Sequence, residues 1–162
     1  MKLYYIVINN TYIPTPEQTI FNYAFTDRGN AEGYAAVINR RMFTKIATVH
    51  EINLPFIGRS VCYVKKDSGI GGGFGMPMYE KIWNSRIYSC MSHAKRDNLW
   101  QKSIEFFKKN PDEKMHETDT MIATDHYGEP FSWGNYDGFV TTIERIRVIK
   151  AGMEYNENIV GW

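Results

Sequence analysis

Residues 26–42, TDRGNAEGYAAVINRRM, predict an amphipathic helix. Their apolar side chains recur at helical spacing, so they form one stripe that needs a surface to pack against. The residues of this stripe are Ala31, Tyr34, Ala35, Ile38 and Met42. Thr26 or Asp27 provides the N-cap, because a short polar side chain accepts a hydrogen bond from the free N–H groups of the first turn.

Strands are predicted on both sides of this helix. Residues 2–9 and 19–25 precede it, and residues 44–54 follow it up to Pro55. The first of these runs is apolar on both faces, which is typical of a central strand that is covered on both sides. The chain therefore opens with the order β-β-α-β.

The same order of elements recurs in the second half of the chain. Residues 60–66 and 79–90 predict two strands, and residues 138–150 predict a last one. Between them, residues 93–108 predict a helix whose N-cap is Ser92. The second half is therefore again β-β-α-β.

The fold class predicted from this order is α+β, with one compact domain over residues 1–162. The repeat indicates two β-β-α-β units packed together, with helices against an antiparallel or mixed sheet. We place these sub-units at residues 1–57 and 58–150, and we treat residues 151–162 as a C-terminal tail.

The composition narrows the class of protein. The chain has 162 residues, of which 43% are hydrophobic, and a net charge of +1. A protein held on nucleic acid by phosphate contacts usually has a basic excess, so nucleic acid is a disfavoured partner. The first apolar run, residues 3–8, is too short for a signal peptide, and no run approaches the roughly 18 apolar residues of a membrane span. We therefore predict a cytoplasmic protein without membrane contact.

Two cysteines, Cys62 and Cys90, are present. This number is too small for a disulfide scaffold or for a zinc site built on cysteines. Both lie in runs predicted as strands, and we expect two buried, reduced thiols.

Residues 67–77, DSGIGGGFGMP, carry five glycines between positions 69 and 75. Glycine loses much conformational entropy on folding, so a cluster indicates a sharp turn or a close approach of the backbone to another group. The pattern is neither a dinucleotide fingerprint nor a P-loop, and a strand rather than a helix follows. We interpret it as a flexible hairpin tip. The predicted binding residues at and beside this tip are Gly71, Gly72, Gly73, Phe74, Gly75, Met76 and Tyr79.

Residues 111–137 are too long for a plain connection in a compact domain, and such segments are often functional. Residues 121–124 predict a short strand within them. After this strand, aromatic residues alternate with turn residues. These rings either cover the core as a lid, which is favoured because large rings are more often buried, or bind a partner. The aromatic residues named as further binding candidates are Tyr127, Phe131, Trp133 and Tyr136.

A cluster of ionisable residues lies in the same region, namely His116, Glu117, Asp119, Asp125 and His126. Two imidazoles with carboxylates could bind a divalent metal if they converge, but their spacing fits no fixed ligand motif. Solvated loop residues are the favoured interpretation. The chain has no Gly-x-Ser-x-Gly motif, and neither cysteine stands beside a base. We therefore predict no catalytic residue, no metal ligand and no cofactor, and favour a protein that is not an enzyme.

The first unit resembles small accessory proteins of bacteriophages and other mobile elements. The resemblance covers residues 1–54 and rests on Phe25, Thr26 and Asp27 at the helix start and on the helix that follows, through Tyr34, Ile38 and Asn39. It implies a setting in which small single-domain proteins bind and inhibit host or defence components. It transfers no functional residue.

The leading hypothesis is a non-enzymatic protein-binding module of the phage inhibitor type. Its partner would be a host protein or a second copy of the chain, contacted through residues 67–79 and 127–136. An alternative is a protein that binds a small nucleotide-like ligand, with backbone amides of residues 69–75 on the phosphate and Trp83 or Trp133 stacked on the base. A third is a metal-dependent hydrolase that uses the His and Asp cluster.

Overall fold

The computed structural model has an α+β fold with a mixed sheet. The residues that it describes are 1–10, 17–41, 45–70, 78–83, 86–125 and 138–151. The chain divides into two compact units, Met1–Val61 with Arg145–Trp162 and Cys62–Glu144. The single domain with sub-units at residues 1–57 and 58–150 stays a prediction.

The first unit contains the predicted β-β-α-β order. Its elements are β1 (Lys2–Asn10), β2 (Glu17–Phe25), α1 (Arg28–Arg41) and β3 (Lys45–Asn53). Strand β1 lies between β2 and β3 and is antiparallel to both. The β2–α1–β3 connection therefore joins two strands of the same direction and passes across β1.

The core of the first unit forms because the apolar stripe of α1 packs on this sheet. Ala31, Tyr34 and Ile38 are buried as predicted, and the ring of Tyr34 stacks on Phe25 with centroids 5.0 Å apart. Residues on both faces of β1 are also buried, which confirms the prediction of a central strand. The members of this core cluster are Ile6, Ile8, Phe21, Phe25, Ala31, Tyr34, Ala35, Val37, Ile38, Ala47 and Ile149.

Asp27 is the residue that caps α1. Its Oδ2 accepts a hydrogen bond from the backbone N–H of Asn30 at 2.9 Å. The hydroxyl of Thr26 instead accepts a hydrogen bond from the backbone N–H of Ala151 at 2.8 Å. Of the two predicted caps, Asp27 fixes the helix start and Thr26 holds the chain that follows the last strand.

The second unit contains most of the remaining elements. They are β4 (Ser60–Ile70), β5 (Met78–Trp83), α2 (Met91–Ala94), α3 (Asn98–Lys109), β6 (Met115–Thr118), β7 (Met121–Thr124) and β8 (Gly138–Ile149). Strand β4 lies between β5 and β8, just as β1 lies between β2 and β3. Strand β7 pairs with β6 and with β8. The end of β8 belongs to the first unit, where it runs parallel to β2 with Tyr23 opposite Arg147.

The prediction of one helix over residues 93–108 is wrong in one respect, because the structure has two helices in this region. The N-cap of α2 is Cys90 rather than Ser92, and α2 ends after one turn. Asp97 then begins α3, since its Oδ1 accepts a hydrogen bond from the backbone N–H of Leu99 at 2.8 Å. A carboxylate that caps a helix start cannot lie in a helix interior, which is why the helix breaks here.

The predicted strand at residues 121–124 is confirmed as β7, but its partner β6 was not predicted. All four residues of β6 are exposed, so they have no apolar alternation from which a strand could be recognised. The strand exists because its backbone pairs with β7.

The core of the second unit lies between α3 and the β4–β8 region of its sheet. The core cluster consists of Cys62, Val64, Ala94, Trp100, Ile122, Phe139 and Ile143. Ser103 of α3 and Thr141 of β8 are also buried there, and their hydroxyl oxygens are 2.6 Å apart. Among the described helices of the chain, none has the length and apolar character required to cross a membrane.

Candidate binding surface

Two paired strands border the predicted glycine-rich hairpin tip. Strands β4 and β5 pair antiparallel, and their last described pair is Ile70 with Met78. The strand β4 is longer than predicted, because Asp67, Ser68 and Gly69 also pair with β5. Chain connectivity therefore makes residues 71–77 the link between two paired strands, as the hairpin prediction requires.

The candidate binding residues of this hairpin fall mostly outside the described residues. Gly71, Gly72, Gly73, Phe74, Gly75 and Met76 all lie there. Tyr79 belongs to β5, where its backbone is opposite Gly69.

The aromatic segment connects two strands that pair with each other. Residues 126–137, with Tyr127, Phe131, Trp133 and Tyr136, lie outside the described residues. The strands on either side of them pair antiparallel, with Ala123 opposite Val140. Thr124 adds to this pairing, since its buried hydroxyl oxygen accepts a hydrogen bond from the backbone N–H of Phe139 at 3.0 Å.

A side-chain contact joins the two strands that border the candidate segments. The Nζ atom of Lys66, on β4, lies 4.5 Å from the centroid of the Phe139 ring, at the start of β8. Phe106 of α3 holds that ring edge-to-face, with centroids 5.1 Å apart. Lys66 is four residues before Ile70, or roughly 13 Å along the strand. The strand before the glycine-rich link, β4, and the strand after the aromatic segment, β8, are therefore neighbours.

The other face of β4 carries a polar cluster centred on Glu144 of β8. The Nζ of Lys65 is 3.4 Å from Glu144 Oε1, and the hydroxyl of Thr142 donates to the same oxygen at 3.3 Å. Burial raises the pKa of Tyr63 to about 12, with a smaller contribution from the negative charge of Glu144. The Lys65 and Glu144 side chains are each about 40% exposed, so their ion pair stabilises the fold by only about 0–1 kcal/mol.

Asp67 extends this polar face toward the hairpin link. Its Oδ1 atom is buried and has no hydrogen-bond partner among the described residues. Buried polar atoms are nearly always paired, so an unpaired carboxylate oxygen marks a position of interest. The polar face of β4 could have been recognised in the sequence. Polar and apolar side chains alternate there, as they do in a strand with one polar face. The polar positions are Tyr63, Lys65 and Asp67, and the apolar ones are Cys62 and Val64.

The β6–β7 hairpin brings together part of the predicted metal cluster. His116 Nε2 and Asp125 Oδ1 are hydrogen-bonded, and both side chains are about half exposed. His126 lies outside the described residues. Within the described residues, no three His, Cys, Asp or Glu side chains are placed to hold a metal ion.

The two cysteines are free thiols in different environments, which corrects the expectation of two buried thiols. Cys62 is buried in the core, whereas Cys90 is partly exposed at the start of α2. The pKa of the Cys90 thiol is lowered, first by its hydrogen bond with the Ser92 hydroxyl, 3.1 Å away, and then by the backbone N–H of His93. Cys90 is therefore the more reactive of the two thiols.

No protein-family model, no curated protein sequence and no solved structure matches the chain.

Proposed function

We propose that the chain is a non-enzymatic protein-binding module. It contacts its partner through the glycine-rich link, residues 71–77, and the aromatic segment, residues 127–136. The observation that carries the proposal is the contact of Lys66 with Phe139, because it joins the strand before the glycine-rich link to the strand after the aromatic segment. Phe74, Met76 and Trp133 are the anchors, since large apolar and aromatic side chains dominate binding energies at protein interfaces.

The strand after the glycines favours a protein partner over a nucleotide. Residues 71–77 lead into β5, which pairs with β4. A glycine-rich phosphate site gains much of its attraction from the N-terminus of a helix directly after the loop, and a strand has no comparable dipole. The hairpin therefore suits contact with a surface better than capture of a phosphate.

The type of module that we propose is an inhibitor of a host or defence protein, in the cytoplasm. Its support is the resemblance of residues 1–54 to phage accessory proteins. The glycines serve this role by letting the link adapt to the partner at low steric cost.

The test is the affinity of a captured partner for the double variant Phe74→Ala, Met76→Ala. We expect the dissociation constant to rise by about tenfold or more, because loss of one anchor at an interface costs over about 1 kcal/mol. The matched control is Phe56→Ala, which removes an exposed ring from the first unit. An unchanged affinity of the double variant would show that the link is only a turn.

A further inference from the structure

Strand β5 ends the order of strands in the second unit. Strand β8 pairs with β7 and β4, and within the described residues β5 pairs with β4 alone. A strand at the end of a sheet offers alternate N–H and C=O groups to whatever lies beside it.

The hydrogen bonds of Cys62 determine which residues of β5 offer these groups. Cys62 donates its backbone N–H to the carbonyl of Tyr88 at 2.8 Å and accepts the N–H of Tyr88 at 2.7 Å. Tyr88 lies on the β5 side of β4, because β8 occupies the other side. Along a strand, successive residues direct their main-chain groups to alternate sides.

It follows that Lys66, Ser68 and Ile70, like Cys62, direct their main-chain groups toward β5. Their register partners in β5 are Ile82, Glu80 and Met78, which therefore complete the ladder with β4. The remaining residues of β5 have main-chain groups that point away from β4. These residues are Tyr79, Lys81 and Trp83.

We propose that this outer edge of β5 binds an extended strand of the partner protein, which adds to the sheet beside β5. The proposal rests on the proposed function and specifies how the partner is recognised. Three residues offer both an N–H and a C=O, at the two-residue repeat of a strand, and only another extended main chain matches that repeat. In this proposal Tyr79, a predicted binding residue, binds the partner strand through its backbone N–H and C=O.

The edge of β5 pairs less favourably with β5 of a second copy of the chain than with a strand of another protein. Two copies of β5 can pair antiparallel over five residues in two registers that keep the outer groups opposite one another. One register places Glu80 opposite its own copy, and the other places Lys81 opposite its own copy. Like charges directly opposite one another destabilise a strand pair.

The test uses Lys81→Pro, with Lys81→Ala as the matched control. Proline removes the outward N–H of residue 81 and leaves the hydrogen bonds between β5 and β4 in place, so the variant is expected to fold. Alanine removes the same side chain but keeps the N–H. The probes are peptides of about 12 residues, selected from a displayed random library for binding to the wild-type chain.

We expect the dissociation constants of the selected peptides to rise by about tenfold or more for Lys81→Pro and to stay within about twofold for Lys81→Ala. Peptide binding should also slow amide hydrogen exchange at Tyr79 and Lys81, more than at Glu80 and Ile82. Equal effects of the two substitutions would overturn strand addition. So would a selection that yields no peptide binding below about 100 µM.

Two further outcomes separate this inference from its alternatives. Peptides that bind Lys81→Pro normally but fail on Phe74→Ala, Met76→Ala would overturn the β5 edge and leave the proposed function standing. A wild-type dimer in sedimentation velocity that Lys81→Pro dissociates would overturn the foreign strand in favour of a second copy. If Lys81→Pro does not fold, the assignment of outward groups in β5 is overturned.

Discussion

The side-chain amide of Asn39 gives the backbone of Ala47 both hydrogen bonds that a neighbouring strand would provide. Asn39 Nδ2 donates to the Ala47 carbonyl at 3.1 Å, and Asn39 Oδ1 accepts the Ala47 N–H at 2.7 Å. Ala47 lies on β3, which pairs on its other side with β1. Helix α1 therefore closes part of the edge of β3, one of the known ways in which proteins protect an edge strand.

We expect Asn39→Ala to lower the free energy of unfolding by about 1–3 kcal/mol, because it leaves a part-buried N–H and C=O without partners. Asn39→Asp retains the acceptor for the Ala47 N–H but sets a second acceptor oxygen against the Ala47 carbonyl, so it should also lower the free energy of unfolding. Ala36→Lys, on the exposed side of the same helix, is the control and should change stability by under about 0.5 kcal/mol. Urea unfolding measures all three, and an Asn39→Ala protein as stable as the wild type would contradict this account of the edge.

Tyr88 secures the start of α3. Its hydroxyl donates to Asp97 Oδ2 at 2.6 Å, while the other oxygen of this buried carboxylate caps the helix. Tyr88→Phe removes the hydrogen bond from the Tyr88 hydroxyl to the buried carboxylate of Asp97 and should destabilise the protein by about 1–3 kcal/mol. The control is Tyr23→Phe, because the hydroxyl of Tyr23 makes no hydrogen bond to the described residues. If both substitutions cost the same in denaturant unfolding, the contact of Tyr88 with Asp97 contributes nothing specific.

Tyr63 and Tyr88 make the free energy of unfolding depend on pH in the alkaline range. Burial raises the pKa of Tyr63 and of Tyr88 from the ordinary 10.0 to about 12, and the contact with Asp97 adds to the effect at Tyr88. The unfolded chain then loses these protons at lower pH than the folded chain does. The resulting stability is complete below about pH 10 and is lost as the pH rises toward about 12.

Ultraviolet titration of tyrosinate in the folded protein measures this directly. We expect Tyr63 and Tyr88 to ionise late, together with Tyr5, whose pKa is also raised by burial, and Tyr88→Phe to remove one of these late ionisations. Ionisation of all tyrosines near the ordinary value in a still-folded protein would contradict the burial of Tyr63 and the Tyr88 contact.

Cys90 should be alkylated before Cys62, since one thiol is accessible with a lowered pKa and the other is buried in the core. The rate of reaction with iodoacetamide should rise with pH at lower values than for a free thiol. Ser92→Ala removes the largest cause of the lowered pKa and should slow the reaction at neutral pH. Cys62→Ala is the control and should leave that rate unchanged, whereas faster labelling of Cys62 would reverse the assignment.

Sequence patterns anticipated the parts of the fold that rest on periodicity. The apolar stripe of α1 and the doubly buried β1 follow from the spacing of apolar residues such as Ile6, Tyr34 and Ile38. The exposed strand β6 and the helix break at Asp97 have no such pattern, since pairing with β7 and a side-chain cap produce them.

The candidate surface was predictable in part. The hairpin strands and the short strand β7 follow from composition and turn residues, and in the structure Lys66 of β4 contacts Phe139 of β8. That contact links residues far apart in the chain, so no local pattern contains it. The unpaired Asp67 oxygen likewise depends on three-dimensional burial.

The most direct measurement of the central claim is site-specific photo-crosslinking in an expressing host. A photoreactive phenylalanine analogue replaces Phe74 in one variant, Trp133 in a second and, as the control, Phe56 in a third. If residues 71–77 and 127–136 form one binding surface, the first two variants capture the same partner protein and the third does not. Capture of different proteins from positions 74 and 133, or of none at either position, would contradict the claim.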